Sequence, residues 1–81
     1  MEKSEITEKL SGIFRKVFNN EQLEVKDELT ANDVSGWDSL SHMILISEIE
    51  TTFTIRFKLK ELNKMRNVGD MVEIIILKLT A

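Results

Sequence analysis

Asp38, Ser39 and His42 are the residues whose types and spacing hold chemistry in this chain. They stand in the run Gly36-Trp37-Asp38-Ser39-Leu40-Ser41-His42, where a polar stretch gives way to an apolar-periodic one. Asp38 has the character of a helix N-cap, which puts Ser39 in the first turn. There its hydroxyl is exposed, and the helix dipole together with the first backbone N–H groups favours an attached anion. A serine esterified to a phosphodiester suits that position. A nucleophilic serine is the competing chemistry, because Ser39 and His42 lie one helical turn apart and a base–serine contact is conceivable. The supporting parts are missing. No Gly-x-Ser-x-Gly elbow surrounds Ser39, the chain has one histidine and three glycines, and no glycine-rich loop offers an oxyanion hole.

Composition narrows the field further. The chain has 81 residues, which predicts one small domain over residues 1–81. Cysteine is absent, so disulfides and thiolate metal sites are excluded, and any thioester chemistry needs a thiol carried by a prosthetic group or a partner. Proline is also absent, which suits a helical protein. No stretch reads as a signal peptide or is apolar for long enough to cross a bilayer, so the cytosol is the default location. The net charge is −3, but residues 56–66 hold Arg56, Lys58, Lys60, Lys64 and Arg66 against Glu61 alone, a local +4 that leaves −7 on the remainder. This patch is too small and too poor in aromatics to read as a nucleic-acid surface. Its bland reading is a solvated face.

The elements that position Ser39 follow from periodicity. Ile6, Leu10, Ile13 and Val17 fall on one helical stripe with Phe14 at its edge, so a first helix is predicted from a Ser4 cap to about Phe18, ended by Asn19-Asn20. Residues 19–37 are polar and irregular, anchored by Leu23, Val25, Leu29 and Val34. A loop of that length in a small domain is functional or pinned down. A second helix is predicted from Ser39 to about Phe53. His42, Leu45, Ile46, Ile49 and Phe53 form its core side, while Leu40, Ile44, Ser47 and Thr51 form another stripe that starts beside Ser39. Phe53, Ile55, Phe57 and Leu59 alternate with polar residues as a strand would. A lone strand lacks a partner, so residues 54–58 are read as an extended connector. A short helix over about Leu59–Lys64 follows. Asn67 and Asp70 resemble a capping box for a last helix with Val68, Met71, Val72, Ile75 and Leu79 inward and Ile74 and Leu77 off the stripe.

The chain resembles the acyl carrier protein family, including peptidyl and aminoacyl carriers. The resemblance rests on Asp38-Ser39-Leu40, on Phe53 closing the second helix, and on Val68-Gly69-Asp70 opening the last, and it covers essentially the whole chain. It implies an all-α bundle of three main helices plus one short one, with a long first loop. It implies a non-catalytic monomer carrying 4'-phosphopantetheine from coenzyme A on Ser39, whose thiol holds an acyl or aminoacyl thioester for fatty-acid, polyketide or other biosynthesis. Asp38 then has a second role in recognition by the modifying phosphopantetheinyl transferase, besides capping. Leu40, whose bland role is core packing, becomes a contact residue, and Leu40, Ile44, Ser47 and Thr51 become the docking stripe. The further partners implied are an acyl- or aminoacyl-activating ligase and downstream acyl-transferring or condensing enzymes.

Two residues keep two readings. His42 is either a packed, hydrogen-bonded side chain or a group lining the mouth of an acyl cavity and touching the phosphate. Trp37 is either a staple onto the second helix near Ser41 or Leu45, or part of a partner-facing surface. The chain also departs from the family pattern. Carriers of general fatty-acid synthesis show an acidic stripe on the second helix, read by basic enzymes. Here only Glu48 and Glu50 bring charge to that helix, and the third-helix region is basic. A specialised pathway with its own partners is the expectation. The alternative from another class is a small helical interaction module without a prosthetic group, with Ile74 and Leu77 as a dimerising patch.

Overall fold

The computed structural model describes residues 2–80 and contains helices α1 (Lys3–Val17), α2 (Ser39–Phe53), α3 (Leu59–Leu62) and α4 (Val68–Thr80), with one 3-10 turn at Ala31–Asp33 and no strand among the described residues. The architecture is the expected all-α bundle of three main helices and one short one. Helix α1 packs against both α2 and α4. Ile6, Leu10 and Ile13 of α1, Leu45, Ile49 and Phe53 of α2, and Val68, Met71, Val72 and Ile75 of α4 make one buried cluster. Ile46 is buried too, outside that cluster.

Local deviations from the sequence reading have identifiable causes. Helix α1 starts with Glu2 at the N-cap, so Ser4 lies inside the helix rather than before it. Phe14 is fully buried instead of marking the edge of the stripe, because Trp37 of the following loop closes over it edge-on with ring centroids 5.2 Å apart. Helix α3 ends at Leu62, two residues short of Lys64. Residues 55–58 are extended without pairing, with Ile55 and Phe57 half-buried against the core and Arg56 and Lys58 outside. The anticipated box at α4 is only half formed. Asn67 Oδ1 accepts the Asp70 N–H at 2.8 Å, while the Asp70 carboxylate takes the Arg66 backbone N–H at 3.1 Å and Arg66 Nε–H at 3.3 Å. Of the residues off the α4 stripe, Leu77 is exposed and Ile74 half-buried.

The long loop before Ser39 is held by α4. The first N–H groups of a helix have no partner within it. Here Val68 N–H donates to the Leu29 carbonyl at 3.0 Å and Gly69 N–H to the Asp27 carbonyl at 2.8 Å. Leu23, Val25 and Leu29 are half-buried against the core and Val34 is buried, so all four expected anchors pack down. The loop therefore reaches α2 in a set position, with Gly36 at φ +88° just before Trp37.

Candidate functional site

The geometry around Ser39 begins with a reciprocal cap. Ser41 N–H donates to Asp38 Oδ1 at 2.9 Å, and Asp38 N–H donates to Ser41 Oγ at 2.8 Å. The Ser41 hydroxyl donates onward to the Gly36 carbonyl at 2.8 Å. These bonds fix the start of α2 and separate the two serines of its first turn by role. Ser41 is occupied by the cap, and Ser39 is left exposed to solvent. The Ser41 backbone and hydroxyl groups, with the Leu40 N–H, hold the Asp38 carboxyl below the usual carboxylate range. Asp38 thus takes N–H groups that the sequence suggested for an attached anion. What remains for an anion on Ser39 is the helix field and one nearby cation, Arg66.

Arg66 is nearby because Ser39 opens onto a shallow depression of about 460 Å³. Trp37, Asp38, His42 and Met43 line it from the α2 side, and Met65 and Arg66 from the segment before α4. Sequence reasoning passed over Met43, Met65 and Arg66 as site residues. Met43 had a signal, being four residues after Ser39 on the helix. Met65 and Arg66 had none, since only the return of the chain through α3 brings them there.

Trp37 and His42 form a pair. Trp37 Nε1–H donates to His42 Nδ1 at 3.0 Å, and the rings stack with centroids 6.0 Å apart and planes at 15°. Trp37 is only 9% exposed and also touches Phe18, at 5.9 Å between centroids. It packs inward, against Phe14 of α1, Phe18 and His42 of α2, in the same buried cluster as Leu45. His42 is half-buried, and burial holds its pKa below the ordinary value of 6.5. With Nδ1 accepting, the neutral ring carries its proton on Nε2. Such a histidine is poorly arranged to take a proton from Ser39, which disfavours the hydrolase chemistry.

The stripe of Leu40, Ile44, Ser47 and Thr51 is exposed along its whole length. Leu40 is 75% and Ile44 49% exposed, and Ser47 and Thr51 are exposed as well. Met43 joins them at 56%. None of the described helices is long and apolar enough to cross a membrane.

A capped helix start that leaves Ser39 exposed thus stands on a bundle of three main helices with a strapped-down first loop. Residues 8–75 match the family described as "Phosphopantetheine attachment site". Among solved structures, the solution NMR structure of a holo acyl carrier protein from Geobacter metallireducens is similar with a TM-score of 0.87 and 43% identity, over 91% of this chain and 85% of that one. No curated protein matches. The chain belongs to the acyl carrier protein family. It is a non-catalytic carrier with a 4'-phosphopantetheine prosthetic group, a flexible arm whose terminal thiol supplies thioester chemistry that a chain without cysteine lacks.

Proposed function

We propose that this protein is a discrete cytosolic carrier domain over residues 1–81, and that Ser39 is the attachment point of its arm. A phosphopantetheinyl transferase would form the Ser39 Oγ–phosphorus bond and break the phosphoanhydride of coenzyme A, releasing the nucleotide portion. The single observation that carries this reading is the division of labour in the first turn of α2. Ser41 is tied into the cap by bonds of 2.8–2.9 Å while Ser39 stays exposed beside an open depression. Asp38 fixes the turn that presents the hydroxyl, and Leu40 stands next to it as an exposed contact for the transferase.

Cargo is an acyl or aminoacyl group, delivered by an activating ligase and passed to acyl-transferring or condensing enzymes that dock on Leu40, Ile44, Ser47 and Thr51. The exposed cations Arg56, Lys60 and Lys64 support service in a specialised pathway rather than a general fatty-acid synthase. The test is intact mass after incubation with a broad-specificity phosphopantetheinyl transferase and coenzyme A. The protein should gain one phosphopantetheine group, Ser41→Ala should still gain it, and Ser39→Ala should not, with its helical circular dichroism unchanged. Labelling of Ser39→Ala would remove the assignment. No labelling of the native chain would favour the interaction-module reading.

A further inference from the structure

Trp37 gives its indole N–H to a side chain and not to the backbone. The indole is only 9% exposed, set against Phe14 at 5.2 Å and Phe18 at 5.9 Å, and its Nε1–H meets His42 Nδ1 at 3.0 Å. A buried indole N–H needs an acceptor, and a backbone carbonyl would serve. An imidazole does something a carbonyl cannot. With Nδ1 accepting, its proton sits on Nε2, so the ring has a second donor at its far edge. That Nε2 has no partner among the described residues, and no polar side-chain atom without a partner is buried there. Nε2 therefore meets solvent. The depression that His42 lines is the one onto which Ser39 opens. The two residues are one turn apart on α2, the spacing at which side chains are neighbours, about 5–6 Å between Cβ atoms. Helical side chains lean toward the N-terminus, which brings the ring toward Ser39. Ser41 of the same turn is closed into the cap, its hydroxyl donating to the Gly36 carbonyl at 2.8 Å, and Arg66 across the depression already holds Asp70 through Nε at 3.3 Å.

We propose that His42 Nε2–H opens on this depression and holds the phosphodiester of the arm: it donates to a non-bridging phosphate oxygen once Ser39 is esterified, and Trp37 positions it by keeping Nδ1 an acceptor. This deepens the functional reading above and rests on Ser39 as the attachment point. The two hydrogen bonds run in one direction, from indole to imidazole to phosphate, and bonds in such a chain strengthen one another. The last of them ends on an anion, which makes it the stronger kind. A buried tryptophan thus anchors the root of the arm against α2 through one histidine.

The test compares native apo protein with holo protein made from coenzyme A by a broad-specificity phosphopantetheinyl transferase. His42 is the only histidine and the arm brings one phosphorus atom, so imidazole nitrogen and phosphorus NMR each report this site alone. In apo protein the nitrogen shifts should show the Nε2–H tautomer. On loading, the His42 midpoint should rise by about half a pH unit or more, because a nearby anion favours the charged ring. The charged groups that share the depression with His42, Asp38 of the α2 cap and Arg66 of the segment before α4, are present in both samples, so the difference isolates the phosphodiester. A phosphodiester does not itself titrate near neutral pH, so its phosphorus shift should follow the His42 midpoint. His42→Phe should flatten that curve. His42→Gln, which restores an N–H donor, should keep the native phosphorus shift at neutral pH and lose its pH dependence. Trp37→Phe, which keeps a ring without the N–H, should release the tautomer and move the phosphorus shift part of the way toward that of His42→Phe. Circular dichroism reports the fold of each variant, and the apo–holo comparison needs none of them. An equal His42 midpoint in apo and holo protein overturns the proposal, as does a phosphorus curve that is flat in the native chain or persists in His42→Phe. A phosphorus shift moved by Arg66→Gln and not by His42→Phe also overturns it, giving the phosphodiester to Arg66. In each of those cases the native chain still gains the mass of the arm and Ser39→Ala does not. No mass gain removes the attachment reading, and the proposal with it.

Discussion

Acidification should part Trp37 from His42, and the size of the effect can be worked from their geometry. His42 Nδ1 accepts the indole N–H at 3.0 Å, so a proton on Nδ1 removes the acceptor and sets two donors against each other. Losing one net hydrogen bond costs about 1 kcal/mol. Some of this returns, because an imidazolium stacked on the indole gains a cation–π attraction, limited to about 0.5 kcal/mol with the centroids 6.0 Å apart. The net loss is about 0.5 kcal/mol, or roughly 2–4 °C in melting temperature for a domain of this size. The charged neighbours in the depression, Asp38 and Arg66, are of opposite sign and leave burial as the governing cause. The sign follows from linkage. The folded pKa of His42 lies below 6.5, so between those values the unfolded chain binds more protons. Stability is flat above pH 6.5 and falls as the pH drops through that window. The depressed carboxyls of Asp38 and Glu61 lose their contribution only below their ordinary values of 3.8 and 4.5, which keeps the windows apart. Trp37 is the only tryptophan, so tryptophan fluorescence arises from this site alone, and the His42→Phe variant isolates the histidine's share of it. The fluorescence midpoint should lie below 6.5, the melting temperature should fall across the same range, and His42→Phe should abolish both changes. Trp37→Phe should raise the His42 midpoint followed by NMR. A midpoint at or above 6.5, or an unchanged slope in His42→Phe, would refute the reasoning.

Three further outcomes are open to stability measurements, beside the Ser39→Ala mass experiment. Asp38→Ala should lower the melting temperature while Asp38→Asn largely preserves it, because an amide oxygen still accepts the Ser41 N–H. Ile44→Glu should change stability by less than about 0.5 kcal/mol yet weaken loading by the native partner, whereas Ile49→Ala, at a fully buried site, should cost about 2–5 kcal/mol. Denaturant titration separates the two. Gly12→Ala, with open space around its new methyl, should stabilise α1 by about 0.5–1 kcal/mol. Gly69→Ala should forfeit that gain, since its methyl would meet the Asp27 carbonyl oxygen at 3.2 Å, the same oxygen that the Gly69 N–H holds at 2.8 Å.

The sequence by itself determined whatever depends on neighbours within a turn or two of helix. It set the cap at Asp38, the bounds of α2 from Ser39 to Phe53, the inward set of Leu45, Ile46, Ile49 and Phe53, and the outward set of Leu40, Ile44, Ser47 and Thr51, all of which the fold reproduces. These are consequences of helical period and of capping chemistry, which act over three or four residues. The alternating segment after Phe53 was legible as a connector because a strand without a partner has nowhere to place its backbone hydrogen bonds. The tertiary structure alone decided the pairings across the bundle. Phe14 became core because Trp37 closes on it, and His42 acquired its tautomer from that same indole. The loop before Ser39 was fixed by unpaired N–H groups at the start of α4. Glu48 found its partner in Lys16, 32 residues away, and Glu50 took the Phe57 N–H of the connector, contacts that the helical period of α2 does not foretell. No periodicity encodes such matches, because they depend on which side chains the closed chain brings within about 3 Å of each other, the distance at which a hydrogen bond forms.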